Sequence, residues 1–213
     1  TGVVVKGKLL GDKRFMPGEN LEFSKDHPHL MIATTNGVLS YNNKKISVDN
    51  RVVINSDIDL ATGNIKIEGT LEIFGNVRSG MEVRATGDIL IHGNVEDSAI
   101  LAEGNIFIDN GVLGKEKAYL EAGSNITLRF AQNTKMKAGN DINVRESLIQ
   151  CSVYAKNMVN VAGTVVGGDI IGRNGLSVKV AGSDKGVETK LGVGRDPELE
   201  QAIKSAEEER KQL

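Results

Sequence analysis

Residues 85–95 read ATGDILIHGNV and residues 102–112 read AEGNIFIDNGV, one strand-and-turn phrase written twice at a spacing of 17. The phrase extends in both directions. Its apolar pair recurs as Leu71/Ile73, Ile89/Ile91, Ile106/Ile108, Ile126/Leu128, Ile142/Val144 and Val159/Val161, at successive spacings of 18, 17, 20, 16 and 17. Two positions before each pair stands Gly69, Gly87, Gly104, Ser124, Asn140 or Asn157, residues tolerant of tight turns and mostly of left-handed backbone. Two positions further back come Ala85, Ala102, Ala122, Ala138 and Ala155, and two further still Val83, Ile100, Leu120, Met136 and Val153. Four positions after the pair come Val77, Val95, Val112, Leu148 and Val165, with Gln132 breaking that column in the 126–128 repeat.

A unit of about 17 residues cannot bury its own apolar face, so neighbouring units must stack. Each unit has room for three short strands and nothing in it reads as a helix. The arrangement that fits is all-β: a parallel β-helix with triangular rungs, in which like residues pile into ladders. At ~4.8 Å between paired strands, residues 61–182 give about seven rungs and a rod roughly 30–35 Å long. Alanine at a fixed column suits a cramped corner. The stretch GVLGKEKAYLEAG carries the extra residues of the 20-residue step, so a loop near Lys115 to Lys117 is expected to leave the wall.

Composition agrees. Across 213 residues there are 25 glycines, 3 prolines, no tryptophan and 4% aromatics, as a thin solenoid without space for large rings requires. With 26 basic and 28 acidic side chains and a net charge of -2, neither nucleic acid nor an anionic membrane is indicated as main partner. A single cysteine, Cys151, excludes an internal disulfide framework and fits a reducing cytoplasm. No apolar run is long enough to span a bilayer. Thr1 at the start is expected of a piece of a longer protein.

Three segments follow. Residues 1–58 lack the repeat; turn signals at Asn36-Gly37 and Asn42-Asn43 between short β runs predict a small β-rich domain capping the first rung. Residues 59–194 are the solenoid. Residues 195–213 predict a helix with Asp196 as N-cap, Pro197 at the first helical position and an apolar stripe of Leu199, Ile203 and Ala206, the start of a coiled coil.

The stretch ATGNIKIEGTLEIFGNVRSGMEVRATGDILIHGNV, the VVGGDIIG segment and GVETKLGVGRDPELE leading into a helix resemble the FapA (flagellar assembly protein A) family of bacteria. The resemblance covers nearly the whole chain; Met158 and Gln132 depart from its small or aliphatic positions. It implies a right-handed β-helix, an N-terminal β-rich domain and a coiled-coil segment acting through protein–protein contact, with no catalytic residues. The solenoid of the division-site inhibitor MinC is similar in style, and would make the chain a self-associating division inhibitor. Residues 94–99, however, lack the arginine that the MinC partner-binding rung would carry, and seven rungs are too many.

A carbohydrate-active β-helix enzyme is the competing class, needing clustered carboxylates and aromatic platforms. Asp88, Asp109, Asp141 and Asp169 are the available acids; Asp88 and Asp141 share a column with Asn105 and Asn125, where such side chains support turns. His27 and His29 have no third ligand at metal spacing and are expected in an exposed loop. His92 should point outward as a surface residue, and Cys151 should sit in or near the core. Gly167, Gly168 and Gly172 follow no strand-to-helix pattern of a phosphate loop. The reading is therefore a non-enzymatic scaffold of the bacterial cytoplasm, with a flagellar or polar role, no cofactor, no nucleic acid and no membrane insertion. Its protein partner is expected at a basic cluster of Arg129, Lys135 and Lys137 beside Phe130, or on Leu199 and Ile203 of the terminal helix, which could also join copies of the chain.

Overall fold

The computed structural model describes residues 4–5, 15–35, 37–115 and 117–211. Its N-terminal part holds two three-stranded sheets. Val4–Val5 and Leu21–Phe23 flank Met31–Ala33, all antiparallel. Met16–Pro17 and Val38–Asn42 flank Lys45–Asp49. Asn42 pairs with Lys45, so the second turn is Asn43-Lys44, one residue beyond the expected dipeptide. Both take positive φ, 46° and 66°, as a two-residue turn that follows the strand twist requires. The Asn36-Gly37 signal falls between Met31–Ala33 and Val38–Asn42, Asn36 itself lying outside the described residues.

From Arg51 onward the chain winds into a three-faced parallel solenoid of about eight turns. Face 1 stacks Ile65–Ile67, Glu82–Ala85, Ala99–Ala102, Tyr119–Ala122 and Lys135–Ala138, then residues 152–155, residues 168–172 and Thr189–Val193. Face 2 stacks Arg51–Ile54, Thr70–Ile73 and Ile89–Ile91, then the opening residues of Ile106–Leu113, Ile126–Gln132, Ile142–Ala155, Met158–Gly172 and Gly175–Ala181. Face 3 runs from Ile58 through Val77 and Val95–Glu96 into the later residues of the same long strands. The sequence arithmetic undercounts by a turn because it starts at residue 61, whereas the ladder starts at Arg51–Ile54 pairing with Thr70–Ile73 and ends at Thr189–Val193.

The columns read from the sequence are the ladders seen. Leu71, Ile89, Ile106, Ile126, Ile142 and Val159 are each fully buried, every one lying over the next. Burial of one such side chain stabilises by roughly 1.5–3 kcal/mol. The alanine column is continuous from Ala85 to Ala155 and meets Gly172 beyond it. The turn column is held differently from expectation. Among Gly69, Gly87, Gly104, Ser124, Asn140 and Asn157 only Gly69 has positive φ. What the column supplies is an axial chain of backbone bonds: Gly87 N–H donates to Gly69 O, Gly104 to Gly87, Ser124 to Gly104, Asn140 to Ser124 and Asn157 to Asn140.

Gln132 does not break the core. The corner after Leu128 is one residue shorter, the register shifts, and Ala131 takes the place over Val112 and under Leu148 while Gln132 faces solvent. The insertion after Leu113 is held by Asp97, whose Oδ1 accepts the backbone N–H of Lys115, Lys117 and Ala118 at 2.8, 2.8 and 2.9 Å. Cys151 is buried in a column of small residues with Ser98, Ala118 and Thr134, and burial pushes its thiol pKa up.

The end turns are less covered than the middle. Val52, Ile54, Ile65 and Ile67 at one end, and Leu176 and Val178 at the other, are only partly buried. The helix Pro197–Lys211, the one helix among the described residues, follows the last turn. Asp196 caps it, accepting the Leu199 N–H on Oδ1 at 3.3 Å.

Candidate functional site

Outward positions also form columns, and these decide what the rod can bind. Arg129 does not join Lys135 and Lys137. It follows Leu128 at the corner leaving face 2, whereas the two lysines lie on face 1. The expected basic cluster is divided by face 3, which the chain crosses at Ala131 and Gln132 between Arg129 and Lys135. Arg129 Nε donates to Glu146 Oε1 at 2.6 Å. Lys135 is exposed, in register with Tyr119 and Ser152.

Lys137 belongs to a groove of about 800 Å³ along face 1. Ala102, Ala122 and Gly139 are among its lining, and Lys66, Arg84, Glu121 and Lys137 stand around it. Two ion pairs lie within it. Lys137 Nζ donates to Glu121 Oε1 at 3.0 Å, and the Tyr119 hydroxyl donates to Glu121 Oε2 at 2.8 Å. The Lys137 bond, then that of Tyr119, holds the Glu121 carboxyl below the usual carboxylate range against the opposing effect of burial. Arg84 pairs with Glu82 on the same strand.

Asp88 and Asp141 are engaged from turn to turn. Asp88 Oδ1 accepts the Asn105 N–H at 2.7 Å and its side-chain amide at 3.0 Å. Asn105 Oδ1 receives the same pair from Asn125, at 3.2 and 2.9 Å. Asp141 Oδ1 accepts the Asn157 side-chain amide at 2.7 Å and the Met158 N–H at 3.0 Å. Met158 has no side-chain oxygen to accept the next step, and the ladder moves one residue along, where Asn157 Oδ1 accepts the Asn174 side-chain amide at 3.0 Å. These bonds link successive turns, a stronger role than the local turn support read from the sequence.

A second polar cluster was not foreseen. His92 points outward as expected but is not an isolated surface residue. Its Nδ1 lies 2.6 Å from Asp109 Oδ2 and its Nε2 2.9 Å from Glu72 Oε1. Glu72 is also paired with Arg51 and is only 7% exposed. The imidazole stacks on Phe74, centroids 4.5 Å apart and planes 22° from parallel. The signal was available: reading the position after each apolar pair gives Phe74, His92, Asp109 and Arg129 in one outward column. Among the described residues no group of three or more His, Cys, Asp or Glu side chains is placed to hold a metal ion.

Leu199 and Ile203 lie one helical turn apart, 55% and 51% exposed. The side chain of Ala206 lies outside the described residues. No helix among the described residues is long and apolar enough to cross a membrane.

Residues 50–213, the stacked three-stranded turns and the helix that follows them, match the Flagellar Assembly Protein A beta solenoid domain. The chain belongs to the FapA family. No curated protein and no solved structure matches the chain. The FapA match begins at residue 50, beside the first solenoid strand at Arg51–Ile54. It also takes in the terminal helix, so Leu199 and Ile203 are part of the matched FapA segment.

Proposed function

We propose that this FapA chain is a non-enzymatic scaffold of the bacterial cytoplasm in flagellar assembly or at the cell pole. It works by holding protein partners against the face 1 groove and the terminal helix. The observation that carries this reading is the state of the carboxylates. Asp88 and Asp141, two of the four acids available to a carbohydrate-active β-helix, are acceptors in turn-to-turn hydrogen bonds, and Asp109 faces His92. The surface that remains has the makings of a contact site: a concave groove with charged walls, and Leu199 and Ile203 half uncovered. Apolar side chains presented at i and i+4 on a helix are what a second helix covers.

The test is site-specific crosslinking. A photo-reactive residue placed at Lys135 or at Ile203, in the full-length protein expressed in a flagellated bacterium, is expected to give adducts with flagellar or polar proteins. Turnover of a polysaccharide that is lost in Asp88→Ala or Asp141→Ala would overturn the reading. Adducts only between copies of the chain would favour a self-associating solenoid instead.

A further inference from the structure

His92 sits on the third turn of the solenoid, Glu72 on the second and Asp109 on the fourth. Arg51, on the first turn, reaches Glu72. The set is therefore a chain of charges crossing four turns at the end of the rod where the N-terminal sheets join it. Both imidazole nitrogens face carboxylate oxygens, at 2.6 and 2.9 Å. A neutral imidazole has one N–H and one lone pair, so in that form one nitrogen would oppose a carboxylate lone pair. Only the imidazolium donates in both directions. We propose that His92 is a proton-operated clamp: charged, it ties the second, third and fourth turns together on their outer surface, and on losing its proton it lets the first two turns loosen.

The groups around it support this sign. Glu72 and Asp109 flank the ring from the turns on either side, and the Asn110 side-chain amide donates to the His92 carbonyl at 3.3 Å. Of the nearby cations, Arg51 is bound to Glu72 and Arg129 to Glu146. The two carboxylates, Glu72 first, raise the His92 pKa above its ordinary 6.5, against a smaller opposing effect of burial. A raised folded-state pKa means the stabilisation is fully present below 6.5 and is lost as pH rises through the folded-state value. The part that responds is set by burial: Val52 and Ile54 of the first turn are only partly covered, whereas Leu71 and Ile73 beneath them are fully buried.

Two measurements on the whole chain test the clamp. Proton NMR follows the His92 titration; its midpoint is expected above the ordinary 6.5, and Asp109→Asn is expected to bring it down. Amide exchange in Arg51–Ile54 and Thr70–Ile73, corrected for the intrinsic pH dependence, is expected to speed up about tenfold for each pH unit spanned by the raised pKa. His92→Gln should show no such step, and His92→Arg, a permanent cation, should stay protected throughout. A His92 midpoint at or below 6.5 would overturn the clamp. So would an exchange step of equal size in wild type and His92→Gln.

Discussion

Gly111 and Phe130 face each other across one step of the ladder, and a Cβ built on Gly111 would lie 2.5 Å from the Phe130 ring. The glycine is where the shortened corner of the 126–128 repeat fits its aromatic residue against the turn before. Gly111→Ala is therefore expected to destabilise the chain by roughly 1–3 kcal/mol, the range for overpacking. In a Phe130→Ala background the same substitution should be close to neutral. A double-mutant cycle by chemical denaturation measures the coupling, and strict additivity would show that the two residues do not meet.

The alanine corner gives a second prediction. Ala122 is 2% exposed, between Ala102 and Ala138 in the column. Ala122→Leu should overpack it and lower stability by about 1–3 kcal/mol, seen as a lower melting temperature. An unchanged melting temperature would mean that the corner has room the ladder does not show.

The ladder of Asp88, Asn105 and Asn125 separates shape from hydrogen bonding. Asp88→Asn keeps an oxygen facing the two Asn105 donors and is expected to be nearly silent. Asp88→Ala leaves both donors without that acceptor and should cost on the order of 1–3 kcal/mol. Equal stability of the two variants in urea would show that the ladder contributes little.

Acid sensitivity has a definite direction at Glu121. Its folded-state pKa is depressed, first by Lys137 and then by Tyr119. The associated stabilisation is present above the ordinary 4.5 and is lost as pH falls below it through the folded-state value. Lys137→Ala should move the Glu121 titration upward, as followed by carboxyl carbon shifts in NMR. A titration that does not move would place Lys137 away from Glu121 in solution.

Much of this was legible because a solenoid writes its contacts at a constant spacing. Ile89 over Ile106, or Ala102 over Ala122, needs only an alignment of the chain with itself. The first turn was hidden because Val52 and Ile54 follow no alanine and no earlier repeat. Ala131 was hidden because a corner one residue short moves the inward position by one. Arg129, Lys135 and Lys137 misled for the opposite reason, since the six residues from Arg129 to Lys135 cross the whole of face 3. His92 is 20 residues from Glu72 and 17 from Asp109, so their meeting shows only in the outward columns.

The axial chain from Gly69 through Gly104 to Asn157 has a mechanical corollary. Its hydrogen bonds point along the rod, as do those of every strand pairing in the solenoid. Tension applied between the two ends would load one layer at a time and peel turns off singly from the less covered ends. A sideways pull on a single face would have to break several layers together. A tether on the terminal helix would thus yield gradually, whereas a cargo gripped on the flank would meet a stiff wall.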